Sequence, residues 1–228
     1  MKEFVINNKV INILYNKTEL KELPVIFLNT FNDEGKNVFE KCNDLGTNEF
    51  ILVSIAEMNW NDDLTPWECP PLYKGDTKCL GYADNYLKEI ENDIIPRIEE
   101  YITKELNKKI SYYGIVGYSL GGLFALYSGF KTDRFKRIAS ASGSLWYPNF
   151  MEFIKSNKIS NNIDKIYFSL GNSESKSKNE ILSTVEDKTK EIYEHISKSI
   201  NSIYEVNEGN HFKDSTLRMA KGIKWILE

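Results

Sequence analysis

Histidine is scarce in these 228 residues: there are only two, His195 and His211. A zinc site built on three histidines is therefore excluded, and any chemistry that needs an imidazole must choose between these two. Cysteine is nearly as rare. Cys42, Cys69 and Cys79 are odd in number and irregularly spaced, which suits free thiols in a reducing compartment better than a disulfide framework. No run approaches the roughly 18 to 20 apolar residues of a membrane helix, and Met1 to Tyr15 switches too quickly between polar and apolar residues to form a signal-peptide core. The expectation is a cytoplasmic chain with no membrane partner. Neither sign of charge dominates: 29 basic against 33 acidic side chains leave a net charge of -4, with no long block of one sign. Nothing recommends a nucleic acid or another polyanion as partner.

What is present is an α/β pattern. Phe4 to Ile6 and Val10 to Leu14 flank Asn7-Asn8, a hairpin signal. From Pro24 onward, short continuous apolar runs alternate with longer stretches at helical spacing. The runs are Val25 to Leu28, Phe50 to Ile55, Tyr112 to Val116, Ile138 to Ser140, Ile166 to Leu170 and Ser202 to Val206. Runs without alternation suit strands covered on both faces, so the sheet is expected to be mostly parallel, with an antiparallel pair at its amino-terminal side. Tyr82 to Leu106, Leu120 to Phe130, Asn179 to Ile200 and Ser215 to Leu227 read as helices, the first kinked or split at Pro96. With no repeat and no linker composition, one domain over residues 1–228 is expected.

Gly117-Tyr118-Ser119-Leu120-Gly121 follows the strand ending at Val116 and opens a helical stretch, the context that gives Gly-x-Ser-x-Gly its meaning. The turn is so tight that the serine is expected in a strained conformation, with the flanking glycines giving the chain room. A serine hydroxyl needs a base. His195 sits among lysines and glutamates of an amphipathic helix, whereas His211 lies in Asn207-Glu208-Gly209-Asn210-His211-Phe212, a turn-rich loop after the last strand. Catalytic groups gather on loops at the carboxyl ends of parallel strands, so His211 is the expected base. The acid is sought on the loop after the preceding strand, where Glu174 is the first carboxylate; Glu180, Glu186 and Asp187 are its competitors. Leu120 N–H and Phe31 N–H, with Thr30 as the alternative to Phe31, are the expected oxyanion donors.

Two aromatic-rich stretches leave strand ends and should overhang the same cleft: Trp60 to Trp67, and Ser144 to Pro148, with Tyr73 nearby. Trp60, Trp67, Trp146 and Tyr147, joined by Tyr118 beside the serine, are the candidate lining of a pocket for an apolar or aryl group. They could equally plug the core beneath long loops.

The elbow around Gly117 to Gly122, Leu64 to Trp67, Ser142 to Trp146, Gly171 to Asn179 and Asn207 to Phe212 together resemble the esterase family that groups esterase D, feruloyl esterases and siderophore esterases within the α/β-hydrolase superfamily. The resemblance implies an α/β-hydrolase fold and a cofactor-free, metal-free serine esterase acting on a small-molecule ester through an acyl-enzyme. It puts Ser119, Glu174 and His211 at the positions of nucleophile, acid and base. Asn172 stands where related sequences often carry an acidic residue. An acyltransferase, a siderophore trilactone esterase and a binding module on the same scaffold are the rival readings.

Overall fold

The computed structural model describes residues 1–72, Gly75 and 77–228; Tyr73 lies outside the described residues. Eight strands form one sheet: β1 (Lys2–Ile6), β2 (Lys9–Tyr15), β3 (Glu22–Asn29), β4 (Ile51–Ala56), β5 (Lys109–Tyr118), β6 (Phe135–Ala141), β7 (Lys165–Gly171) and β8 (Asn201–Asn207). Their spatial order is β1-β2-β4-β3-β5-β6-β7-β8. β1 pairs antiparallel with β2, and β2 with β4; every later pairing is parallel. Asn7 and Asn8 turn the first hairpin with φ of 49° and 67°, the left-handed conformation that a two-residue turn needs and asparagine tolerates.

The helices are α1 (Gly35–Asp44), α2 (Trp60–Asp63), α3 (Ala83–Glu89), α4 (Ile95–Glu100), α5 (Leu120–Ser128), α6 (Phe150–Ser156), α7 (Val185–Ile196) and α8 (Ser215–Leu227). The inner strands β3 to β7 are largely buried on both sides, which is why they read as continuous apolar runs. In β3, Val25 and Phe27 enter a core shared with α3 to α7, while Ile26 and Leu28 enter one shared with α1 and α8. Ile166, Tyr167 and Phe168 of β7 alternate in the same way.

Of the two alternatives for Pro96, a kink or a split, the split does not occur: Ile90–Ile94 just before it and Tyr101–Glu105 after it take the wider π-helical turn, and the helical stretch continues. The stretch expected from Asn179 starts as an α-helix only at Val185. Leu182–Thr184 is a 3₁₀ turn, and Ile181 is exposed.

The strand order fixes where a site can form. β3 connects through α1 to β4 on one side of it, while β5 lies on the other, so the crevice at the carboxyl ends of β3 and β5 is a topological switch point. Ser119 stands at that end of β5.

Candidate active site

Ser119 joins β5 to α5 with φ 57° and ψ -123°, a combination that residues with a side chain rarely adopt. The close packing that holds it explains the glycines. A Cβ on Gly117 would lie 2.2 Å from the backbone of Gly121, and one on Gly122 would lie 2.8 Å from Gly143 Cα. Gly121, by contrast, has ordinary space for a Cβ, its nearest neighbour being Trp60 at 3.5 Å. The steric demand falls on Gly117 and Gly122.

His211 Nε2 lies 3.1 Å from Ser119 Oγ, and His211 Nδ1 lies 2.7 Å from Glu174 Oε2. With Nδ1 against a carboxylate, the ring proton belongs there, which leaves Nε2 to accept from the serine hydroxyl. Glu174 is buried, its side chain 3% exposed. Its other oxygen, Oε1, accepts from Gly171 N–H (2.7 Å), Ser142 Oγ (2.8 Å) and Arg218 Nη1 (2.8 Å). Burial alone would push this carboxyl up. The hydrogen bond and charge of His211, with the bonds from Gly171 and Ser142, outweigh it and hold Glu174 below the usual carboxylate range. Of the competing carboxylates, Glu186 is engaged with Lys190 and Ser175. His195 is an exposed residue of α7.

Arg218 is the residue that sequence reasoning missed. Its side chain is 1% exposed. Nη1 also reaches Ser142 Oγ (2.9 Å) and Tyr118 Oη (3.2 Å), while Nη2 donates to the carbonyls of Glu208 and Asn210, both at 3.0 Å. It thus fastens α8 to the acid and to the loop carrying His211. In the sequence Arg218 looks like one more charge on an amphipathic helix. The available signal was its position one residue before buried Met219 and four before buried Gly222, at the edge of the apolar stripe.

The family model described as "Putative esterase" matches residues 7–215. The chain belongs to that esterase family. Its fold is that of the α/β hydrolases: a siderophore hydrolase, EstA, of Aspergillus nidulans superposes with a TM-score of 0.72 at 17% identity, over 99% of this chain and 93% of that one. An IroE-like serine hydrolase from Shewanella oneidensis gives 0.74 at 19% identity, over 95% of this chain and 75% of that one. Among curated proteins, YbbA of Bacillus subtilis (strain 168), described as uncharacterized, is 32% identical over 151 residues; the match spans 65% of this chain and 59% of that protein's length.

In this chain a cavity of about 800 Å³ opens beside Ser119 and His211. Trp60 and Trp146 line it, as expected, together with Leu72, Val185, Lys176 and Phe212. Trp67, Tyr147 and Tyr118 do not line it, and for them the pocket expectation is corrected. Trp67 Nε1 donates to Pro148 O (2.9 Å) and Tyr147 Oη to Trp67 O (2.6 Å), so these rings brace the two overhanging loops against each other. Tyr118 Oη donates to His211 O at 2.6 Å, and burial pushes its hydroxyl up, keeping it a neutral donor that holds the histidine loop.

Leu120 N–H opens α5, where an amide has no acceptor within the helix. Phe31 N–H is not free as expected: the Glu34 carboxylate folds back onto the Phe31 and Asn32 amides at 3.3 and 2.7 Å. Thr30 N–H is taken by Ile55 O at 2.9 Å. Asn172 ties two loops, its Oδ1 accepting from Gly209 N–H at 3.0 Å. Among the described residues no group of histidine, cysteine and carboxylate side chains could hold a metal ion, and no helix is long and apolar enough to cross a membrane.

Proposed function

We propose that this chain is a serine carboxylester hydrolase in which Ser119 is the nucleophile, His211 the general base and Glu174 the acid. The observation that carries the reading is the unbroken series from Ser119 Oγ through His211 to a buried Glu174, at the mouth of a cavity and on a strained elbow. Ser119 Oγ attacks the ester carbonyl as His211 Nε2 takes its proton, and the imidazolium is stabilised by Glu174. The oxyanion is held by Leu120 N–H, with Phe31 N–H as second donor once the negative charge displaces the Glu34 carboxylate. His211 returns the proton to the departing alcohol, then activates water to release the acyl group from Ser119.

The cavity walls support an apolar or aryl group on the ester: Trp60 and Trp146 offer broad faces beside the nucleophile. The name of the Aspergillus nidulans neighbour, a siderophore hydrolase, makes a siderophore ester the second substrate class to test. One sheet carrying every strand among the described residues supports a single domain, and the odd, irregularly spaced set of cysteines supports a reducing, cytoplasmic setting.

Ser119→Ala should abolish hydrolysis while leaving the circular dichroism spectrum unchanged, and a fluorophosphonate should label the wild-type chain at Ser119 alone. Retention of most of the activity, or label elsewhere, sinks the assignment. Short-chain, aryl and trilactone esters assayed side by side would rank the substrates, and added alcohol competing with water would separate hydrolysis from acyl transfer.

A further inference from the structure

The wall of the pocket holds a second reactive pair. Cys69 and Cys79 face each other across an isolated antiparallel bridge outside the named strands. Cys69 N–H donates to Cys79 O at 3.1 Å, and Cys79 N–H returns the bond to Cys69 O at 3.0 Å. Residues that exchange both bonds in this way have Cα atoms about 5.5 Å apart, inside the range of about 4.4 to 6.8 Å that disulfides span. Their Cβ atoms, about 4.5 to 5.5 Å apart in such pairs, begin slightly wider than the roughly 3.5 to 4.5 Å of a disulfide. A bridge with no neighbouring ladder to hold its twist can close that gap.

The thiols share a wall of the pocket as well as a backbone bridge. Cys69 Sγ donates to Pro70 O at 3.4 Å, and the charge of one thiol would be felt by the other. Both line the cavity beside Ser119. Cys69 is 2% exposed and Cys79 half-buried, whereas Cys42 is packed in the core on the opposite face of the sheet.

We propose that Cys69 and Cys79 are a dithiol–disulfide pair, oxidised by a small disulfide of the glutathione class, and that the disulfide fixes the shape of this wall of the ester pocket. The Cys79 thiolate, the more accessible, attacks one sulfur of the small disulfide, forming a mixed disulfide and expelling one small thiolate. The Cys69 thiolate then attacks the Cys79 sulfur and expels the second. The two protons given up by the cysteines are taken by the two departing thiolates, so the protein loses two electrons and two protons and one small disulfide becomes two thiols. Burial raises both protein thiols above their ordinary values. The exchange is therefore slow near neutrality and faster as pH rises, and the disulfide, once made, gains little from thiolate stabilisation on reduction.

The consequence for the pocket rests on the proposed ester hydrolysis; the thiol chemistry does not. The purified protein is incubated with oxidised glutathione at alkaline pH, then denatured, titrated for thiols and digested for mass spectrometry. The expected result is a fall from the three thiols of the sequence to one, a linked peptide pair carrying Cys69 and Cys79, and a free Cys42. An unchanged titre, a persistent glutathione adduct on Cys79 or a bridge to Cys42 overturns the pair, as does a mass loss of about 2 units surviving in Cys79→Ser. In the oxidised protein, KM for a bulky aryl ester should move by about threefold or more while kcat for a short-chain ester stays within about twofold, and dithiothreitol should reverse the change. Identical KM in both redox states overturns the pocket consequence. Absence of ester hydrolysis in both states refutes instead the proposed function, and the thiol count still decides the pair.

Discussion

Arg218 Nη1 sits 2.8 Å from Glu174 Oε1, with both side chains almost fully buried. A buried carboxylate shared between an arginine on one oxygen and a histidine on the other is held in place as well as in charge. Removing the arginine leaves that carboxylate short of a partner and frees the carbonyls of Glu208 and Asn210.

Arg218→Ala should therefore cost about 3 to 5 kcal/mol of stability, read from urea denaturation, and lower kcat together with it. Arg218→Lys should fall between, because an ammonium cannot span the carboxylate on one side and two loop carbonyls on the other. A wild-type urea midpoint for the alanine variant would show that the buried pair contributes nothing.

Glu174→Gln should reduce turnover by a factor on the order of 10⁴ if the carboxylate sets the imidazole tautomer as proposed. It also carries a pH signature. Glu174 titrates below its ordinary value in the folded chain, so its ionised form favours folding above the unfolded value of 4.5, and that advantage is lost as pH falls through the folded value. The stability difference between wild type and Glu174→Gln, measured by thermal melts in steps below neutrality, should shrink on the acid side. A difference that grows with acid would reverse the sign of the shift.

Glu34→Ala should raise kcat several-fold, because it removes the carboxylate that competes for the Phe31 amide; each tenfold corresponds to about 1.4 kcal/mol of barrier. A fall in kcat would mean that Glu34 holds the loop after β3 in its working shape, and Phe31 would lose its donor role.

The tryptophans should separate by assay. Trp146→Ala, at the cavity, should raise KM for an aryl ester more than for an acetyl ester. Trp67→Ala, in the brace between loops, should lower the melting temperature, at a cost of about 3 to 5 kcal/mol, the usual range for removing a large packed ring. The opposite partition would reverse their assignments.

The strands and the elbow were legible because each depends on neighbours in sequence. Ile166 to Phe168 declares a doubly covered strand by having no polar alternation, and Gly117 and Gly122 declare a turn whose packing admits no side chain. His211 followed from scarcity and from its loop. What stayed hidden depends on partners far along the chain. Arg218 looks solvated until β7 and the His211 loop are folded around it. Trp60 and Trp67 are spelled alike, and only the Pro148 carbonyl meeting Trp67 Nε1 tells brace from lining. Phe31 was expected to offer a free amide because nothing in its spacing shows the Glu34 side chain folding back. The split was one of two alternatives at Pro96 because a π-helical turn has no composition of its own.

The separation of these groups along the chain has a kinetic consequence. Ser119 follows β5, Glu174 follows β7, His211 follows β8, and Arg218 lies in α8, so no fragment of local structure contains the proposed relay. Contacts between distant segments form late, after the entropy of closing the intervening loops has been overcome. In a refolding experiment, helical ellipticity should return before fluorophosphonate reactivity, which makes labelling at Ser119 a clock for the docking of α8.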